Sequence, residues 1–365
     1  MMLDRRHFMA GAVGASLAAP AWAKAKRPPP WIDGLSFLPT DPSEIKAARL
    51  NGMICDISEI QEVRDPDGTP RYKRTFEAND IAIDAVGKFL TNSAHAFIAR
   101  KGSQIGKCEK AALFLQFQSS EPVGDKLDRL ANFKNRGLSI LQLTHHNDTL
   151  WAGGAIEPKQ SGLTMLGREG IAEMNRLKLL VDVSHGSRAT IQEAALASKE
   201  PILYSHGAAR AIVNHPRCID DSGIRAIASR GGVVGIFMMS FWLTRDATPT
   251  PQHLIDQIRH VINIGGIDAV GISNDFPMGG QPNLLKLSND NREGVKEYLN
   301  WWLAMRRLGV EGFDYSPEHV VIPEFNHIDR MARIAKSLDA AKFKPRQIDK
   351  IMGGNWRRVL TDVLG

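Results

Sequence analysis

The sequence predicts an α/β fold, a closed (β/α)8 barrel of the TIM type, and three observations predict it. Eight short apolar runs rich in Val, Ile and Leu recur along the chain. Helical patterns lie between most of them, and no glycine-rich phosphate loop follows an early strand. The first two fit parallel strands buried on both faces, with a helix returning the chain each time. The third removes the main support for an open, doubly wound sheet. With 365 residues, 43% of them hydrophobic, the chain can bury a large core as one barrel or as two ordinary domains. The formal net charge is +6, but Lys and Arg are scattered. No basic run is interleaved with aromatics, so no nucleic-acid partner is expected.

The amino terminus is expected to be an address rather than part of the fold. Arg5 and Arg6, Phe8, the small apolar run from Ala10 to Pro20 and then Ala21-Trp22-Ala23 have the pattern of a twin-arginine signal with an Ala-x-Ala cleavage site. The apolar run is too short to span a bilayer comfortably. Residues 1–23 are therefore read as a signal peptide, 24–30 as a Pro-rich linker, and 31–365 as one barrel domain acting in the periplasm after passage through the twin-arginine export machinery. Three cysteines, Cys55, Cys108 and Cys218, allow at most one internal disulfide and fit no cysteine-rich zinc pattern.

The eight runs are Trp31 to Phe37, Gly52 to Ile57, Leu113 to Phe117, Leu138 to Thr144, Leu179 to Ser184, Pro201 to Ser205, Gly232 to Phe237 and Asp268 to Ser273. Helical spacing is expected over Ala78 to Arg100, Asp125 to Arg136, Gly162 to Arg176, Ser187 to Ala197, Ser222 to Arg230 and Thr250 to Ile264. Past the eighth strand, residues 277–325 form an excursion with a helical stretch from Arg292 to Leu308, read as a lid or side insertion. Helices over Asn326 to Leu338, Pro345 to Ile351 and Asn355 to Leu364 close the chain.

The working groups of such barrels sit just past the carboxyl ends of the strands. The fifth and sixth strands, joined by a helix that Ser187 would cap, each end in Ser-His, at His185 and His206. Parallel strands send both imidazoles to one crevice, where they can share a divalent cation. The eighth strand ends in Asn274-Asp275, the fourth in His145-His146, the third in Gln118, and Arg217 follows in the loop after the sixth. Metal-bound water and a carboxylate that takes and returns its proton are the parts of a metal-dependent hydrolase. Asp275 is the expected catalytic carboxylate and His145 the group that polarises a carbonyl or steadies an oxyanion. Arg217 is expected to clamp a substrate carboxylate. His146 should point away from His145 if the strand continues. His95, His253, His260, His319 and His327 are read as surface or core residues.

Several stretches with these residues resemble the membrane (renal) dipeptidase family of zinc peptidases. They are Leu141 to His145, Leu180 to His185, Ser205-His206, His215-Pro216-Arg217, Arg230 to Gly235, Val270 to Phe276 and Gly353 to Val359. The resemblance implies a TIM-like barrel with two zinc ions bridged by a carboxylate and a hydroxide, hydrolysing dipeptides, in proteins that are often dimers. It implies His185 and His206 as the two histidines of one zinc, and Asp275 as the aspartate beside the metal-bound water. It also implies His145 and Arg217 as the substrate-facing pair. The departures lie on the first and third strands. The family pattern Asp-Gly-His-x-Asp stands here as Asp33-Gly34-Leu35-Ser36-Phe37, so Leu35 and Phe37 occupy lost metal positions. Gln118 stands where the bridging glutamate would be, a neutral residue better suited to substrate than to bridging. The expectation is an exported hydrolase of dipeptides or related small carboxylate-bearing substrates, using one zinc ion rather than two. A barrel that has lost peptidase chemistry and binds or matures an exported peptide or metabolite is the alternative.

Overall fold

The structure, a computed structural model, describes residues 30–39, 41–64, 70–246, 248–280, 292–307, 309, 313–314 and 321–365. The expected signal peptide (1–23), the linker up to residue 29, His319 and parts of the 277–325 excursion lie outside the described residues.

Among the described residues eleven strands are present: β1 (Ile32–Phe37), β2 (Gly52–Asp56), β3 (Gln61–Arg64), β4 (Pro70–Lys73), β5 (Ala96–Ile98), β6 (Ala111–Phe117), β7 (Leu138–Gln142), β8 (Leu180–Asp182), β9 (Ile202–Gly207), β10 (Val233–Ile236) and β11 (Val270–Ile272). Eight of them, in the order β1-β2-β6-β7-β8-β9-β10-β11, pair in parallel. The N–H groups of Asn274 and Asp275, just past β11, both donate to the carbonyl of Leu35 on β1, at 3.2 and 2.9 Å. That contact brings the last strand to the first, in a nearly closed barrel. All eight expected runs are the barrel strands.

The helices are α1 (Ser43–Ala47), α2 (Phe76–Thr91), α3 (Asp128–Arg136), α4 (Met165–Leu177), α5 (Arg188–Ala197), α6 (Asp221–Ser229), α7 (Ser240–Leu243), α8 (Pro251–Gly265), α9 (Arg292–Arg307), α10 (Arg330–Ala340), α11 (Pro345–Asp349) and α12 (Asn355–Leu364). The starts of four follow from local chemistry. Thr75, Thr164, Ser187 and Asp220 each accept a hydrogen bond from the backbone N–H three residues on. The outer helices bury one apolar stripe against the sheet, as Leu254, Ile255, Ile258 and Val261 do on α8. A second apolar layer fills the barrel itself: Ile32, Leu35, Ile54, Phe114, Ile140, Leu180 and Leu203, plugged from below by Trp356 of α12. The indole N–H of Trp356 donates to the carbonyl of Ile272 at 2.9 Å. A side chain at Gly34 or Gly271 would collide with that ring, which is why two strands carry glycine where it enters.

One expectation is corrected here, and one element is new. The helix expected over 78–100 ends at Thr91, and residues 96–98 instead form β5, pairing in parallel with Ala111 to Leu113. Helical spacing persists through that stretch in the sequence, but Ser93 accepts hydrogen bonds from the N–H groups of His95 and Ala96, and strand pairing takes over. The antiparallel hairpin β3–β4 had no counterpart in the sequence reading. The three cysteines are free, Cys55 and Cys218 buried and Cys108 exposed. Among the described residues, no helix is long and apolar enough to cross a membrane.

Candidate active site

The site is built from the two strand ends that the sequence singled out. His185 leaves β8 through a turn closed by the Gly186 N–H bonding the Val183 carbonyl, and its backbone takes the left-handed conformation at φ 63°. His206 is still within β9. Their Nε2 atoms face one another at 2.8 Å. Both side chains are buried.

A chain of hydrogen bonds behind His206 sets its proton. The buried carboxylate of Asp182 accepts from Gln116 Nε2 at 2.7 Å, from the N–H groups of Ser184 and Ser205 at 3.0 Å each, and from Ser205 Oγ at 2.5 Å. With its own proton committed to Asp182, Ser205 Oγ accepts from His206 Nδ1, 2.8 Å away. That assignment follows from the network and leaves the Nε2 lone pair bare, the tautomer a metal ligand needs. The repeated Ser-His at the two strand ends was the visible trace of this support. Asp182 itself was missed, because nothing in a buried strand aspartate announces its partners.

His145 and His146 lie over His185. The His145 ring stacks on the His185 ring at 4.3 Å with 20° between planes, and the His146 ring stands edge-on to His185 at 4.9 Å and 71°. The ligand nitrogens of His145, His146 and His185 lie within 4.8 Å of one another. Hence the expectation that His146 points away is corrected. β7 ends at Gln142, so residues 145 and 146 are in a turn and strand alternation no longer governs them. The turn is held in place by distant partners. Ala155 N–H bonds the His185 carbonyl at 2.7 Å, and Gly154 pairs with Gly186 while its N–H bonds Asp148 Oδ1 at 2.9 Å.

All four imidazoles are held neutral. Burial presses His145, His185 and His206 well below the ordinary imidazole range and His146 down to about 3, and the positive charge of Arg217 adds to each. Neutral imidazoles are the form that binds a metal ion. Arg217 is buried, with Nη1 donating to Tyr204 Oη at 2.7 Å and Nη2 to the His206 carbonyl at 3.0 Å, while its Nε has no partner. Its loop is fixed by His215, whose Nδ1 accepts from the Arg217 N–H and from Trp242 Nε1. The ring of His215 lies 4.7 Å from Phe313, so the described part of the 277–325 excursion packs on this side of the mouth.

Asp275 also takes a left-handed backbone, at φ 58°. Its loop is fastened by Ser36 Oγ to the Phe276 carbonyl at 2.8 Å and by Arg330 Nη2 to the carbonyls of Pro277 and Met278 at 2.6 Å each. Burial raises its carboxyl to about 7, against the pull of Arg217 and with a further push from Asp56 and Asp33. Two site residues thus sit where side chains rarely go, a conformation that costs free energy unless its surroundings impose it.

The first and third strands deliver different chemistry. Leu35 is wholly buried in the inner apolar layer, and Phe37 is partly buried at the end of β1. Gln118 is buried past β6, its N–H donating to Ser58 Oγ at 2.7 Å and its carbonyl accepting from Gln142. Two groups unmarked in the sequence lie on this side as well. Asp56 ends β2 with its carboxyl pushed up by burial, and the buried Arg74 opposes that shift and, on the histidines, adds to the downward pull on His145 and His146.

Comparison with known proteins identifies this architecture. The membrane dipeptidase family, peptidase family M19, matches residues 67–300, more than half of the chain. The chain belongs to the membrane dipeptidase family. It is 30% identical over 242 residues to the dipeptidase tcpJ of Claviceps purpurea, covering 65% of this chain and 55% of that protein. The chain thus spans about half the length of the curated relatives it matches. Among solved structures, an amidohydrolase from Pseudomonas aeruginosa superposes with a TM-score of 0.75 at 27% identity, over 92% of this chain and 97% of that one. A metallopeptidase from Rhodobacter sphaeroides, solved with a phosphinate mimic of the dipeptide L-Ala-D-Ala, shares the fold at TM-score 0.70 and 18% identity, over 92% and 99%. The family is a metal-dependent hydrolase family, generally with zinc.

The residues present fit such an ion. His185 and His206 offer facing nitrogens, one with its tautomer set. Leu35 and Phe37 have no donor atom to offer, and the amide of Gln118 lacks the charge with which a carboxylate joins two cations.

Proposed function

We propose that this membrane dipeptidase family member hydrolyses the amide bond of a dipeptide or a related small carboxylate-bearing substrate, with one zinc ion held by His185 and His206. The observation that carries the reading is the facing pair of Nε2 atoms at 2.8 Å, one of them bared by the Asp182–Ser205 relay. When bound, a zinc ion supplies Lewis acidity, which makes water a competent nucleophile near neutral pH.

The chain's own residues supply the rest. Asp275, its carboxyl raised to about 7, takes the proton that water loses on attack and returns it to the departing nitrogen. His145, neutral and beside His185, steadies the charge that builds on the carbonyl oxygen. Arg217 is held by Tyr204 and by the His206 carbonyl, and its spare Nε–H meets the substrate carboxylate. Gln118, Leu35 and Phe37 shape the remaining wall, more apolar than the opposite one.

Elemental analysis of the purified protein alongside a dipeptide hydrolysis screen tests this. About one zinc per chain is expected, with His185→Ala or His206→Ala losing metal and turnover together. Turnover that survives both substitutions ends the reading. Protein without metal that binds a carboxylate-bearing ligand through Arg217 and cleaves no dipeptide would establish the alternative, a binding role, which the Leu35, Phe37 and Gln118 set motivates.

A further inference from the structure

We propose that His146 is the third ligand of the metal site, which makes it an all-imidazole centre of His146, His185 and His206. The inference rests on the single-ion reading above and deepens it. An imidazole lone pair lies in the plane of its ring, so two histidines can share an ion only where their ring planes meet close to both nitrogens. His185 and His206 satisfy this, with planes crossing at 58° and Nε2 atoms 2.8 Å apart. The crossed setting of His146 is compatible with it, its plane standing at 71° to that of His185 and its ligand nitrogen within 4.8 Å of that of His185.

His145 does not. Its ring lies face to face with His185, 20° from parallel at 4.3 Å, so the two planes meet only far beyond coordination distance. The ligand nitrogens of His145, His146 and His185 are all within 4.8 Å of one another, so proximity alone would not choose between the neighbours, and ring orientation does. His145 is thereby left to face the substrate, while His146 supplies a donor on the side of the mouth away from Leu35 and Phe37. A nitrogen-only set favours zinc and its first-row neighbours over magnesium or calcium, which prefer oxygen ligands.

The test uses the full-length protein stripped of metal and titrated with Co²⁺ and with Zn²⁺, reading visible absorption and bound metal rather than activity. The parent is expected to take up one ion per chain with the absorption of a nitrogen-rich four-coordinate site. His146→Ala should weaken binding by more than about 10-fold, the low end of what even an outer partner of a ligand is worth, whereas His145→Ala should leave it nearly unchanged. Equal affinity in His146→Ala and the parent, or loss on His145→Ala instead, overturns the assignment while the single-ion reading stands. A parent that binds neither ion overturns both. Circular dichroism of the metal-free variants checks folding. Should His146→Ala unfold, zinc-edge X-ray absorption of the parent and of His145→Ala decides, since three imidazoles in both support the inference, and two in either sink it.

Discussion

The two halves of the barrel mouth handle charge in different ways. Past β1, β2 and β6 the rim offers Leu35, Phe37 and Gln118, and the buried carboxyls nearby are met by the protein's own cations. Arg74 faces Asp56, and Arg330 acts on Asp33, whose Oδ atoms also accept from the backbone and side-chain amides of Asn274. Past β7, β8 and β9 the rim offers four neutral imidazoles stacked and tilted on one another, with Arg217 as the nearby cation. The first half is closed by guanidinium groups and apolar side chains. The second brings imidazole nitrogens together, those of His185 and His206 at hydrogen-bond distance, so that a cation entering between them would replace a single N–H···N hydrogen bond. A rim that looks like one ring of strand ends is therefore two sites with opposite needs.

The sharpest way to break this contrast is at Asp275, which stands between the halves. Asp275→Asn is expected to lower kcat by about 100- to 10,000-fold while leaving bound metal at the parental level, because it removes a proton carrier and no proposed ligand. Steady-state kinetics paired with metal analysis checks it, and an equal loss of metal would place Asp275 among the ligands instead.

A change of intermediate size should come from giving the apolar half the family's donors. Leu35→His, Phe37→Asp and Gln118→Glu combined are expected to raise metal content from about one toward two ions per chain, since one carboxylate would again be able to join two cations. Equilibrium dialysis followed by elemental analysis measures this. An unchanged count in a folded triple variant would show that more than three side chains separate the halves.

The smallest effect is on the stability of the metal-free protein. Five histidines, His145, His146, His185, His206 and His215, are held below the ordinary imidazole pKa of about 6.5 in the folded state. As pH falls below that value the unfolded chain takes up protons that the folded chain refuses, so this contribution to stability is full above about 6.5 and is lost on acidification. Asp275 and Asp33, raised to about 7 and about 6, work the other way, gaining stability as pH falls through those values. Asp56, also raised by burial, adds to that side, and five groups against three should leave a net fall in melting temperature of several degrees between pH 7 and pH 5. Differential scanning calorimetry without metal would show it, and a melting temperature that rises over that interval would contradict the burial of these imidazoles.

Much of this was legible before any coordinates. Runs such as Leu179 to Ser184 and Pro201 to Ser205 are mostly apolar and buried on both faces, and that composition fits parallel barrel strands whichever partners they take. The Ser187 cap is equally local, because its bond to the Thr190 N–H spans three residues. By contrast β5 and the β3–β4 hairpin depended on pairing partners that spacing cannot reveal, and Arg74 and Asp56 became part of the site only through what lies across the mouth from them.

What the sequence determined by itself was the set of groups on the rim. Parallel strands that all run the same way must deliver His185, His206 and Asp275 to one end of the barrel, whatever the details of packing. What only the tertiary structure decided was which nitrogen is bare and how two adjacent histidines are set against His185. The bare Nε2 of His206 depends on a carboxylate at Asp182, one strand away. The segment that follows His145 and His146 is fastened at Gly154 and Ala155 to Gly186 and His185, about thirty residues further along the chain. Orientation at a site is set by contacts between segments that sequence distance keeps apart, while the identity of the groups is set by the strand that ends there.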